Sequence, residues 1–200
     1  MELDEQLQAG SVTRNYNNKR IGGNISLFEI KQPRAVVNQS GTHYGFYDEI
    51  KNRGLELSIY GAPVDQVRVY SSGSWTNPTL TKSEGGINKG NTPPGIPSYQ
   101  LVAGGEWDLP FNRDVTLTGR VIHTGSQYLS EQNNLKLDPW TRFDVGLRYR
   151  VKVSNQKITW RAAVENIGNK SYWASAATDG NSRVSVGEPR TLKLSMSVDF

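Results

Sequence analysis

The last eleven residues, 190–200, read RTLKLSMSVDF and constrain the fold more than any other stretch. Leu192, Leu194, Met196, Val198 and Phe200 fall on one face, and Thr191, Lys193, Ser195, Ser197 and Asp199 on the other. Alternation with a period of two, unbroken from 191 to 200, marks a strand with one apolar and one polar side. A strand of about ten residues is roughly twice the commonest globular length. It is about what a tilted strand needs to cross the hydrocarbon of a bilayer.

The pattern recurs upstream. Residues 140–153 set Phe143, Val145, Leu147, Tyr149, Val151 and Val153 against Arg142, Asp144, Gly146, Arg148, Arg150 and Lys152. Ile158, Trp160, Ala162 and Val164 then oppose Thr159, Arg161, Ala163 and Glu165. Further strands are expected at 66–76, 98–108 and 115–124, with another at 19–30 whose pattern Phe28 and Ile30 break. In 44–60 the second half alternates cleanly, while Glu49, Lys51 and Arg53 continue its apolar face, as if the strand left lipid for water. Residues 1–13 supply a ninth strand.

Between these strands short turns are expected near 15–18, 61–65, 109–112 and 154–156. Long loops are expected at 31–43, 77–97, 125–139 and 167–189. Strict alternation of short and long connections is the habit of outer-membrane barrels, whose turns are periplasmic and whose loops are external. The polar faces agree with this. A cation at the lipid midplane costs roughly 2–4 kcal/mol. A one-residue slip would turn Arg142, Arg148, Arg150 and Lys152 outward together, so the register is fixed. Alternation alone also fits a soluble secreted or periplasmic β-sheet binding module with one solvated face, and that remains the alternative.

Composition narrows the chemistry. No apolar run approaches the roughly 18–20 residues of a membrane helix, but a barrel hides its membrane signal in alternation. The absence of cysteine excludes disulfides and thiolate metal sites. A net charge of +4 on 23 basic and 19 acidic residues, with no basic run, gives no support to nucleic-acid binding. His43 and His123 lack any metal-ligand spacing, and His123 with Ser126 has no orienting acid nearby, so neither a metal centre nor an enzyme is expected. Trp75, Trp107, Trp140, Trp160 and Phe200 suit an aromatic girdle at the lipid interface.

The ending VGEPRTLKLSMSVDF resembles the closing strand of TonB-dependent siderophore receptors, where a Pro-Arg pair leads an alternating strand to a terminal Phe. NRGLELSIYG (52–61), NTPPGIPSYQLVAGGEWDLP (91–110), LDPWTRFDVGLRYRV (137–151) and ITWRAAVENIGNKSYWAS (158–175) resemble successive stretches of the same family. The resemblance implies an all-β fold, an antiparallel transmembrane β-barrel segment giving about nine strands of a barrel of about 22. It implies residence in the cell outer membrane, a ferric siderophore as transported ligand, no resident cofactor, and coupling to TonB through a plug region.

It also implies that the barrel-assembly machinery reads Leu192, Leu194, Met196, Val198 and Phe200. Among aromatic and basic residues of the long loops, Tyr128, Tyr172, Trp173 and Arg183 become candidates for contacting the chelate. The opening MELDEQLQAG has neither the basic nor the apolar region of a secretory leader. Residues 1–200 are therefore expected to be the C-terminal part of a receptor barrel, without plug, TonB-contacting motif or signal peptide, and not a transporter alone.

Overall fold

The computed structural model describes residues 6–16, 20–154, 156–178 and 182–199. The chain climbs and descends through β1 (Gln6–Tyr16), β2 (Ile21–Val37), β3 (Tyr44–Val64), β4 (Val67–Lys82), β5 (Tyr99–Leu109) and β6 (Asn112–Thr124). A short pair, β7 (Gln127–Tyr128) and β8 (Lys136–Leu137), precedes β9 (Trp140–Val153) and β10 (Gln156–Glu165). A second short pair, β11 (Trp173–Thr178) and β12 (Ser182–Val186), precedes β13 (Thr191–Asp199). Setting the two short pairs aside, the other strands form one antiparallel nine-stranded sheet in the order β1-β2-β3-β4-β5-β6-β9-β10-β13.

Register confirms the facing expected from alternation. Across the sheet, Leu194 pairs with Ala162, Ala162 with Leu147, Leu147 with Leu117, and Leu117 with Trp107. Each such row places its side chains on one face, because partners in register share a side of the pleat. Large apolar side chains crowd that face and stay exposed: Leu27 is 62% exposed, Leu192 65% and Leu194 73%. Among the described residues, Leu80, Leu137 and Ala176 are buried and apolar, all toward the long-loop end. Asp48, Thr116, Thr124, Gln127, Asp144 and Asn166 are buried and polar. A water-soluble sheet has the reverse distribution.

Several boundaries differ from those the sequence suggests. Residues 31–37 belong to β2, so the expected loop 31–43 shrinks to 38–43. Residues 77–82 likewise extend β4, and a 3-10 turn at Glu84–Gly86 follows. Both extensions contain a proline, which cannot donate to a second neighbour. Pro78 lies beyond the last β5 partner, Trp75, so that position requires no such donor. Residues 61–64, expected as a turn, stay extended with a bulge, and the chain reverses at Asp65 and Gln66. The loops expected at 125–139 and 167–189 carry the two short strand pairs.

Candidate functional site

The second face of the sheet is ionic. Arg68 on β4 donates two hydrogen bonds to Asp108 at 2.7 Å and one to Glu106 at 2.9 Å. Arg148 on β9 reaches the same Glu106 across the intervening β6, with contacts of 3.0 and 2.9 Å. Thr116, in between, donates to Asp108 at 2.6 Å and accepts from Arg148 at 3.3 Å. Toward the long-loop end, Asp144 accepts from Arg120 at 2.6 Å and lies 3.0 Å from Arg142. It also accepts the Asn166 backbone N–H at 2.8 Å. Glu165 pairs with Lys193 at 2.8 Å and lies 3.6 Å from both Arg120 and Arg142. Bidentate, charge-assisted bonds of this kind fix geometry as well as charge. The arginines, Asp144 and Glu165 were legible on the polar faces of their strands; which carboxylate each arginine meets across the sheet was not.

The apolar face ends on a row of Leu27, Leu55 and Trp75. One step further, Glu29 stands opposite Arg53 and pairs with it at 2.5 Å, and with Lys51 at 3.3 Å. The hydrogen bond from Arg53 chiefly, opposed by desolvation and assisted by Lys51, lowers the Glu29 carboxyl below its ordinary 4.5. The apolar side chains thus give way to ion pairs within one row, at the Lys51 and Arg53 that the sequence marks as breaking the apolar face.

Beyond this row the long loops are knitted together. Asp48 is buried, paired with Arg34, and accepts the Glu84 N–H at 2.7 Å. Arg34 also pairs with Glu131 at 2.6 Å. Asn133, at a φ of 57°, exchanges two 2.8 Å hydrogen bonds with the backbone of Thr92, a conformation Asn tolerates better than most residues. Gln127 donates to Ala174 O at 3.2 Å and Gly95 N–H donates to Tyr128 O at 3.0 Å. The loops after β4, β6 and β10 thus form one cap over the end of the sheet, with Leu80, Leu137 and Ala176 inside.

Within the cap, Tyr172 stacks on Trp140 with ring centroids 4.2 Å apart. Trp173, about half exposed, lies beside them, and with Lys170 and Val186 these residues line a cleft of about 580 Å³. Tyr128 lies under the Lys136 ammonium, 4.5 Å from its ring centre. Arg183 sits on β12 opposite Ala177 and is exposed. Tyr172 and Trp173 therefore share a cleft, and the Gln127 bond ties the segment of Tyr128 to theirs. Leu192, Leu194 and Met196 are exposed on the apolar face; Val198, paired with Ile158, shares it. Phe200 lies outside the described residues. His43 bonds Thr42 at 2.8 Å, and His123 bonds Thr141 at 2.7 Å and Tyr99 at 3.2 Å; among the described residues no acid bonds either ring. No group of three or more potential metal ligands occurs among the described residues.

Residues 5–167 match the family described as TonB dependent receptor-like, beta-barrel. The chain is 46% identical to the ferrichrome receptor FcuA of Yersinia enterocolitica over 185 residues, covering 92% of this chain and 24% of that protein. Among solved structures it resembles BauA, the ferric preacinetobactin receptor of Acinetobacter baumannii, with a TM-score of 0.81 and 31% identity. That likeness covers 98% of this chain and 30% of BauA. The fold is also shared with the ferric citrate transporter FecA, at a TM-score of 0.77 and 17% identity over 97% of this chain and 31% of FecA. The chain spans about a quarter of the length of FcuA. An exposed apolar face, an ionic opposite face and these matches lead to one assignment: the chain belongs to the TonB-dependent receptor β-barrel family of the cell outer membrane.

Proposed function

We propose that the nine-stranded sheet is a contiguous part of the wall of a transmembrane barrel of about 22 strands, in a receptor that imports a ferric siderophore with energy passed through TonB. Residues 1–200 form the C-terminal part of that barrel, and the plug and TonB-contacting motif belong to the rest of the receptor. The observation that carries this reading is the inversion of the sheet, with apolar side chains exposed on one face and ion pairs on the other. Lipid covers the first face and the second lines the lumen. The dimensions agree. From Phe143 to Val153 the outward residues of β9 cover ten residue steps, about 33 Å of strand at 3.3 Å per residue. A tilt of about 40° reduces this to about 25 Å, the height of an outer-membrane apolar band.

The ligand class rests on kinship, since FcuA and BauA are named for ferrichrome and ferric preacinetobactin. In this reading the cap faces outward, Tyr172, Trp173, Tyr128 and Arg183 contribute to chelate contact, and the barrel-assembly machinery reads β13 with Phe200. Alone, the sheet would present two open edges to lipid, where unpaired backbone is not tolerated, so transport requires the complete receptor. An epitope inserted in the full-length receptor between Gly86 and Ile87 should bind antibody on intact cells, and one between Asp65 and Gln66 should not. Equal labelling, or the reverse, would defeat the orientation.

A further inference from the structure

One buried side chain holds both ends of the connection between β10 and β13. Asn166, 1% exposed, directly follows the last residue of β10, Glu165. Its Nδ2 donates to Lys170 O at 2.8 Å, near the start of the connection, and to Glu188 O at 2.9 Å, near its end. Its Oδ1 accepts the Lys170 N–H at 2.9 Å. The Asn166 backbone N–H donates to Asp144 at 2.8 Å, which fixes the clamp to β9 as well. Both donors and the acceptor of the amide are therefore in use. A φ of 50° puts the residue in the left-handed region, which Asn enters more readily than most side chains.

The next rungs along the two clamped stems build the aromatic cleft. Gly187 N–H donates to Tyr172 O at 2.8 Å, and Trp173 pairs with Val186. The Tyr172 ring packs so closely on Gly187 that a Cβ there would lie 2.2 Å away, and the ring also stacks on Trp140. Trp140 pairs with Thr124 and shares the parity of Arg142 and Asp144, so it belongs to the ionic face and not to the lipid girdle that its residue type suggested. The cleft wall is thus half strand, at Trp140, and half loop, at Tyr172 and Trp173. Only the loop half needs holding.

We infer that Asn166 is a positioning residue for the chelate: it sets the spacing of the two stems that seats Tyr172 on Trp140, and shapes the cleft without touching what the cleft holds. The inference rests on the ligand reading above. A binding wall works when its supports hold it within about 0.5 Å, and a wall carried on a loop depends on those supports more than one carried on a strand. Without the Asn166 amide, the Lys170 N–H and the Lys170 and Glu188 carbonyls lose their shared partner, and the stems are free to part.

The test uses the full-length receptor in detergent micelles, labelled with 5-fluorotryptophan, the Trp140 fluorine resonance being assigned by Trp140→Phe. Asn166→Gly accepts the same backbone angle and keeps the N–H to Asp144, so it removes the clamp alone. The variant should retain native heat-modifiable gel mobility. Its Trp140 resonance should shift, and its affinity for whichever of ferrichrome and ferric preacinetobactin the native receptor binds should fall at least about tenfold. The rungs Trp173–Val186 and Tyr172–Gly187 bring Ser171 opposite Glu188. Ser171→Cys with Glu188→Cys, oxidised, should therefore restore both readings in Asn166→Gly, and reduction should abolish them again; the same cysteine pair with Asn166 in place is the reference. An unmoved resonance, a shifted resonance with unchanged affinity, or a loss that the disulfide does not repair would overturn the inference. Binding of neither chelate by the native receptor would instead defeat the ligand reading, and the inference with it.

Discussion

Leu194→Arg in the full-length receptor tests the facing of β13 most directly. Leu194 is 73% exposed on the apolar face, and its row runs through Ala162 to Leu147 in the interior of the β9 apolar run. In the barrel that surface meets lipid, and a cation there should cost about 2–4 kcal/mol. At about 1.4 kcal/mol per tenfold, the folded-to-unfolded ratio should fall about 30- to 700-fold. Lys193→Leu changes the neighbouring residue on the opposite face. It removes the 2.8 Å pair with Glu165, but Arg120 and Arg142 remain 3.6 Å from that carboxylate. An exposed, solvent-screened pair of this kind contributes little to stability. The assay is urea titration of the receptor in lipid vesicles, reading the folded fraction by heat-modifiable gel mobility. If Lys193→Leu cost as much as Leu194→Arg, or both were harmless, the facing would be wrong.

Asp144→Asn should destabilise the receptor by about 2–4 kcal/mol in the same titration, because Arg120 and Arg142 lose their shared carboxylate and retain only the longer contacts to Glu165 at 3.6 Å and, for Arg142, to Glu188 at 4.0 Å. Glu29, whose folded carboxyl is lowered by Arg53, contributes stability that is complete above its unfolded value near 4.5 and is lost as pH falls through the lower folded value. Glu29→Gln should therefore flatten the acid limb of a thermal-melt series below pH 4.5, and an unchanged limb would contradict the pairing. Gly187→Ala would place a Cβ 2.2 Å from the Tyr172 ring. The ring should leave Trp140, seen as altered tryptophan fluorescence and faster proteolysis within residues 166–190.

The sheet was legible where membrane and lumen impose opposite demands on successive residues. In β9 and β13 every second side chain is apolar, and the facing follows from parity alone. Legibility failed above the row of Leu27, Leu55 and Trp75, where in the barrel reading both faces lie outside lipid and nothing enforces a period. Residues 32–37 and 77–82 pair by backbone and ion pairs, and their prolines read as loop because a second strand partner is the usual assumption. The cap was opaque for another reason. Its order depends on contacts between distant segments, such as Arg34 with Glu131 and Asn133 with Thr92, which no local pattern announces. Only the polar run Gln132-Asn133-Asn134 hinted at a turn there. Tyr172 and Tyr128 were visible as loop aromatics, but their stacking on Trp140 and under Lys136 depends on the folded cap.

The Arg148–Glu106 bridge, which spans β6, bears on how such a wall enters a membrane. Taken singly, β9 carries Arg142, Arg148, Arg150 and Lys152 against one carboxylate, while β5 carries Glu106 and Asp108 with no cation. Neither strand could be lowered into hydrocarbon alone without exposing unbalanced charge. Glu106 meets both of its cations only when β4, β5, β6 and β9 are side by side, since Arg68 and Arg148 converge on it from opposite directions. The smallest unit that completes this ion-pair cluster is therefore a sheet of four strands, larger than any single hairpin. In the barrel reading, a hairpin inserted by itself would carry Glu106 or its arginines unpaired into lipid, a cost that favours insertion of the four strands together.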